Sequence, residues 1–167
     1  MVDRQELHNA YSLVWQYAVH RLGYDVFEGS DLDDVCMSDI KQIHICSRRG
    51  IENKLYALLH ECGHALIREN WTKFQKEFPA HAACGYDGRK NKTDKYRISL
   101  IEEEFEAWKR GKRLAKRLDI ELNEDRFEKH KAQCLMSYIH WGAGEYGRVR
   151  SGRNYGYSKE PVGIKSI

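Results

Sequence analysis

Several things are scarce in this chain, and each scarcity excludes something. Cysteine occurs at Cys36, Cys46, Cys62, Cys84 and Cys134, an odd count with no CxxC spacing. That argues against a disulfide framework and for a reducing compartment, so a cytoplasmic location is expected. Long apolar runs are missing: none approaches the roughly 20 residues that cross a bilayer, which excludes a membrane span. The opening Met1-Val2-Asp3-Arg4-Gln5-Glu6 is polar, with no apolar stretch behind it. Neither a signal peptide nor a transit peptide is expected. Charge of one sign is also scarce. The net value is +3, too small by itself to argue for nucleic acid. No internal repeat is visible.

What is present is an ordinary globular composition, 41% hydrophobic and 32% charged over 167 residues. That is enough for one domain with a real core. Asp3 to Leu22 reads as a helix, with Asp3 and Glu6 as a capping box and Gly23 as its stop. Tyr24 to Cys46 carries short apolar runs separated by Gly29-Ser30-Asp31 and Ser38-Asp39, predicting two or three short antiparallel strands. A second helix is expected from Gly50 to Arg68, with Ile51, Leu55, Leu58, Leu59, Cys62, Ala65 and Leu66 on a wide apolar face. Trp71, Phe74 and Phe78 suggest a short helix before Pro79. Gly85 to Lys92 reads as a basic loop. Long helices follow from Tyr96 to Leu118 and, capped by Asn123, to Trp141. The expected fold class is α+β: a small antiparallel sheet packed on helices, with residues 1–141 as one domain. Residues 142–167 form a basic tail rich in glycine, tyrosine and arginine, whose charge equals the whole net excess.

The second helix carries the chemistry. His60-Glu61-Cys62-Gly63-His64 fits H-E-x-x-H. Residues four apart share a helix face, so two imidazoles one turn apart can reach one metal ion at about 2.0–2.1 Å. Glu61 follows the first ligand and lies where it can take a proton from water without binding the metal. A solvated face could hold such residues with no metal. Here they stand among Leu58, Leu59, Ala65 and Leu66, where unpaired polar groups are costly. The expected ion is Zn2+, with His60 and His64 as ligands and Glu61 as general base. Cys62 should point away from it into the core.

A catalytic zinc site needs a third protein ligand. Asn70 occupies the position where an extended motif would put a histidine. The run Glu102-Glu103-Glu104-Phe105-Glu106 offers carboxylates instead. With Leu100 at 0°, the apolar stripe of this helix centres at roughly 20° to 30°. Glu104 falls at about 40°, inside it, Glu103 near 300° at its margin, and Glu102 and Glu106 on the solvent side. A carboxylate on a buried face needs a metal or a charged partner. Glu104 is the expected third ligand, then Glu103. The bland alternatives are an arginine or lysine partner, or placement of the acidic run near the positive end of the helix dipole. His81 competes from outside the helix, in the manner of SprT-like domains, which resemble this in taking a later histidine. His8, His20 and His130 fall on helix surfaces. His44 sits in a strand where it can line the cleft.

Leu58 to Leu66 with its H-E-x-x-H core, followed by Glu104-Phe105-Glu106-Ala107, resembles the ImmA/IrrE type of zinc metallopeptidase over roughly Val26 to Leu118. The resemblance implies a zincin-like fold, zinc as cofactor and Glu104 as third ligand. Family members act on, or through, transcriptional regulators in bacteria, phages and mobile elements, so a protein or peptide of that kind is the implied substrate. Trp108 stands where the family often has Asn or Asp.

The expected reaction is metal-assisted amide hydrolysis, Glu61 taking a proton from water and passing it to the leaving amine. Tyr138, His140 and Tyr96 are candidate oxyanion donors. Gln42 to Cys46 is the candidate strand for pairing with a substrate backbone. A different class of function stays open: a zinc-stabilised module binding nucleic acid or a regulator protein through Arg89, Lys90, Lys92 and the Arg/Tyr tail. Glu61 weighs against it, because a structural zinc site has no need of a general base.

Overall fold

The computed structural model describes residues 3–82 and 93–143. The basic loop around Arg89, Lys90 and Lys92 and almost all of the tail lie outside them. The described chain is α+β. Helix α1 (Arg4–Tyr17) continues into a π-helical turn (Ala18–Leu22). Strands β1 (Asp25–Gly29), β2 (Val35–Met37) and β3 (Gln42–Cys46) follow. Then come α2 (Ile51–Arg68), α3 (Trp71–Glu77), α4 (Pro79–Ala82), α5 (Asp94–Arg117) and α6 (Glu124–Gly142). No described helix is long and apolar enough to cross a membrane.

Local chemistry sets most of these boundaries. Glu6 accepts the Asp3 backbone N–H at 2.8 Å at the start of α1. Gly23, at φ +70°, ends the first helical run in a conformation that costs glycine little. Thr93 and Asn123 cap α5 and α6, accepting from the backbone N–H of Tyr96 and Arg126.

The sheet departs from expectation. Its order is β1-β3-β2, with β3 antiparallel to β2 but parallel to β1. The chain leaves β1, passes over the end of β3, descends as β2 and turns back into β3. Asp34 secures this crossing by accepting the Cys46 N–H at 2.8 Å and pairing with Arg49 at 2.6 Å. Short apolar runs specify strands but not which strands become neighbours, so the parallel pair was not readable from them. As the central strand, β3 has both edges paired and cannot take a substrate strand, contrary to the sequence-based assignment. The edges are β1 and β2.

Helix α2 is the centre of the molecule. Leu55, Leu58, Leu59, Cys62 and Ala65 pack with Val14 and Ala18, with Ile43 and Ile45 of β3, with Trp108, Leu114 and Ala115 of α5, and with Phe127 and Leu135 of α6. The α2–α5 contact is a backbone contact. A Cβ on Gly63 would lie 2.1 Å from the Ala107 carbonyl oxygen, and one on Gly111 would lie 2.5 Å from that of Leu59. Two glycines facing backbone from opposite helices allow this close approach.

Candidate metal centre

His60, Glu61 and His64 occupy consecutive turns of α2. Glu103 and Glu104 lie on the facing stretch of α5, held close by Gly63 and Gly111. His60, Glu61, Glu103 and Glu104 are buried, and His64 nearly so. The His60 and His64 Nε2 atoms stand 3.2 Å apart. Glu104 Oε2 is 3.2 Å from His60 Nε2, and its Oε1 is 3.5 Å from His64 Nε2. Ligands at zinc bond lengths of 2.0–2.1 Å and tetrahedral angles are separated by about 3.3–3.4 Å. The two nitrogens and the Glu104 carboxylate, which meets each imidazole through a different oxygen, are thus about as far apart as ligand atoms around one ion, and together they can hold a metal ion.

The hydrogen-bond pattern fits a cation as well. Glu104 Oε2 is buried and has no hydrogen-bond partner among the described residues. A buried carboxylate oxygen left without a hydrogen bond beside two imidazole nitrogens is a group that a cation would satisfy.

The two histidines are oriented by different means. His64 Nδ1 is 3.1 Å from Glu103 Oε1. His60 instead lies flat on Trp108, with ring centroids 4.3 Å apart and planes at 19°. Trp108 in turn meets Phe127 and His130 edge-on. His130 is therefore half-buried against Tyr56 and Trp108 rather than on an open helix surface. Its neighbours come from α2 and α5, which the periodicity of α6 alone does not reveal.

Electrostatics divide the carboxylates. Burial would raise the Glu104 carboxyl, but the His64 charge and contacts with both histidines outweigh it and hold it at about 2. Burial would likewise lower His64, yet Glu104 and Glu103 hold it well above the ordinary histidine range. Burial lowers His60. Burial also pushes the Glu61 carboxyl up to about 8, against the pull of His64. A divalent cation among these donors would displace the His64 Nε2 proton and draw Glu61 back towards the carboxylate.

The remaining candidates fall elsewhere. Glu103, expected at the stripe's margin, is the more deeply buried of the two glutamates, because α2 and α4 both cover it. The arginine partner considered for Glu104 belongs to Glu103 instead: Arg68 Nε and Nη2 lie 3.0 and 3.3 Å from its oxygens. His81 sits outside the donor cluster, with Nδ1 against Glu103 Oε2 and its ring between Phe74 and Tyr96. Its distance in sequence from α5 concealed that contact. His44 shares a face with Phe27, opposite to the buried Ile43 and Ile45, so it lies on the far side of the sheet from α2. Tyr96 and Tyr138 belong to a separate cluster with Leu100 and Trp141. Cys62 is fully buried in the core.

Comparison with family models, with curated proteins and with solved structures gives no match.

Proposed function

We propose that the chain is a zinc-dependent peptidase of the ImmA/IrrE type with a zincin-like arrangement. In this reading His60, His64 and Glu104 hold the ion and Glu61 is the general base. One observation carries it: three buried donors from two helices converge at metal-ligand spacing, and a fourth buried group, the Glu61 carboxyl, follows the first of them. Two histidines with one carboxylate, and no fourth protein ligand grouped with them among the described residues, is the donor set of a catalytic rather than a structural zinc site. When bound, zinc supplies Lewis-acid charge for amide hydrolysis. Glu61 takes the proton of the attacking water and delivers it to the leaving amine. Strand β2 offers the substrate an edge. It is paired only with β3 among the described residues, and Cys36 at its middle lies within electrostatic reach of Glu61 and His64. An extended segment of a protein substrate, a transcriptional regulator by the family likeness, would add to that edge.

The test is zinc content and peptide hydrolysis, measured together on the full chain. Wild type and Glu61→Gln should each hold about one zinc. Glu61→Gln should lose cleavage of a fluorogenic peptide mixture, and Glu104→Ala should lose the metal. Undiminished cleavage by Glu61→Gln would sink the mechanism, and a zinc-free wild type would sink the site.

A further inference from the structure

Two adjacent glutamates on α5 project about 100° apart around the helix. Glu104 turns its carboxylate to the fronts of both imidazoles, while Glu103 meets the back of one. The surroundings of Glu103 are complete. Its Oε1 takes His64 Nδ1 at 3.1 Å and Arg68 Nε at 3.0 Å. Its Oε2 takes Arg68 Nη2 at 3.3 Å and lies in close contact with His81 Nδ1, which makes no hydrogen bond among the described residues. A carboxylate has about four lone-pair sites; three hydrogen bonds, with His81 crowded against Oε2, leave no room for an ion. Only 1% of Glu103 is exposed, and a carboxylate that deep needs the compensation Arg68 supplies.

We propose that Glu103 is a positioning residue for the metal site: it ties back His64 Nδ1–H so that Nε2 faces the donor cluster, and Arg68 and His81 lock it in place. This deepens the peptidase reading and rests on its metal site. The arrangement makes one carboxylate the junction of three elements. His64 and Arg68 lie one turn apart on α2, Glu103 comes from α5, and His81 brings α4 onto the same group. His60 has no equivalent brace, since its Nδ1 lacks a partner among the described residues and Trp108 orients it by stacking. Orientation of the ligand set by hydrogen bonding therefore depends on Glu103.

The experiment compares wild type, Glu103→Ala and Glu103→Gln as full chains. It measures zinc affinity by chelator competition, melting without metal, and histidine-selective proton–nitrogen NMR. Wild type should show a downfield, slowly exchanging His64 Nδ1–H both with and without zinc. Glu103→Ala should lose that resonance and bind zinc about 10–100-fold more weakly. Glu103→Gln should keep the resonance and most of the affinity, because its amide oxygen can accept the same proton, even where melting falls. Equal zinc affinity in wild type and a folded Glu103→Ala overturns this proposal alone, whereas a wild type that binds no zinc overturns the peptidase reading with it. If Glu103→Ala does not fold, the wild-type resonance and the behaviour of Glu103→Gln decide. Absence of the resonance in wild type, or a Glu103→Gln as weak as a chain lacking Glu104, refutes the brace.

Discussion

Replacing Gly63 by alanine sets two physical effects against each other. Helix propensity favours the change by about 1 kcal/mol, since glycine inside a helix is costly. Packing opposes it. The new methyl would lie 2.1 Å from the Ala107 carbonyl oxygen, 2.7 Å from its carbonyl carbon and 3.0 Å from its Cα. All three are backbone atoms, so no side chain can swing aside. Restoring ordinary contact requires α2 and α5 to part by about 1 Å, and overpacking of this kind costs typically 1–3 kcal/mol. The same displacement would act on the donor atoms. His60 Nε2 and Glu104 Oε2 are 3.2 Å apart, near the spacing a tetrahedral site needs. An added 1 Å would take Glu104 out of bonding reach while the two histidines, both on α2, stay together. Gly63→Ala should therefore melt lower than wild type without metal and lose zinc affinity by well over tenfold, read by thermal unfolding and chelator competition. Gly50→Ala, where a Cβ meets nothing within 4 Å, is the packing control: it loses only the N-cap preference of glycine over alanine, about 0.5–1 kcal/mol, and should leave zinc affinity unchanged. A Gly63→Ala protein as stable as wild type, with unchanged zinc affinity, would refute the argument that backbone contact between α2 and α5 sets the site.

Four further outcomes follow from other contacts. Trp108→Ala should cost about 3–5 kcal/mol in urea unfolding, because the ring is almost fully buried. In the wild type, zinc should change tryptophan emission through the stacked His60, and Trp108→Phe should abolish most of that change. Burial, with smaller repulsion from Arg49 and His60, lowers His130 from 6.5 to about 4. A depressed histidine contributes stability that is present above pH 6.5 and lost as pH falls through 4, so metal-free wild type should lose up to about 3 kcal/mol over that window relative to His130→Phe. Parallel pH profiles of the two proteins in a chelator would count against it. Asp34→Ala leaves the Cys46 N–H and Arg49 without their partner and should destabilise by about 1–3 kcal/mol, measured by denaturant midpoint.

The local half of the site was open to reading in the sequence. Two histidines one turn apart share a face on any helix, and the carboxylate after the first is placed by the same geometry, so His60, Glu61 and His64 needed no tertiary information. Helical phase carried the reading to Glu104, because the apolar stripe of α5 records which side is buried. Glycine and asparagine chemistry likewise announced the helix ends at Gly23 and Asn123, whereas the Thr93 cap of α5 was not read from the sequence. Tertiary structure alone decided the rest. Glu103 lay at the edge of the stripe, and only the arrival of α2 and α4 made it the most enclosed acid in the described chain and gave it Arg68 and His81. The parallel pairing of β1 with β3, the outward face of His44 and the packing of His130 on Trp108 were also decided there. Periodicity reports how a segment meets an apolar surface, which is a property of that segment. Which other segment supplies the surface, and what charge it brings, depends on contacts between residues far apart in the chain, and no local pattern records them.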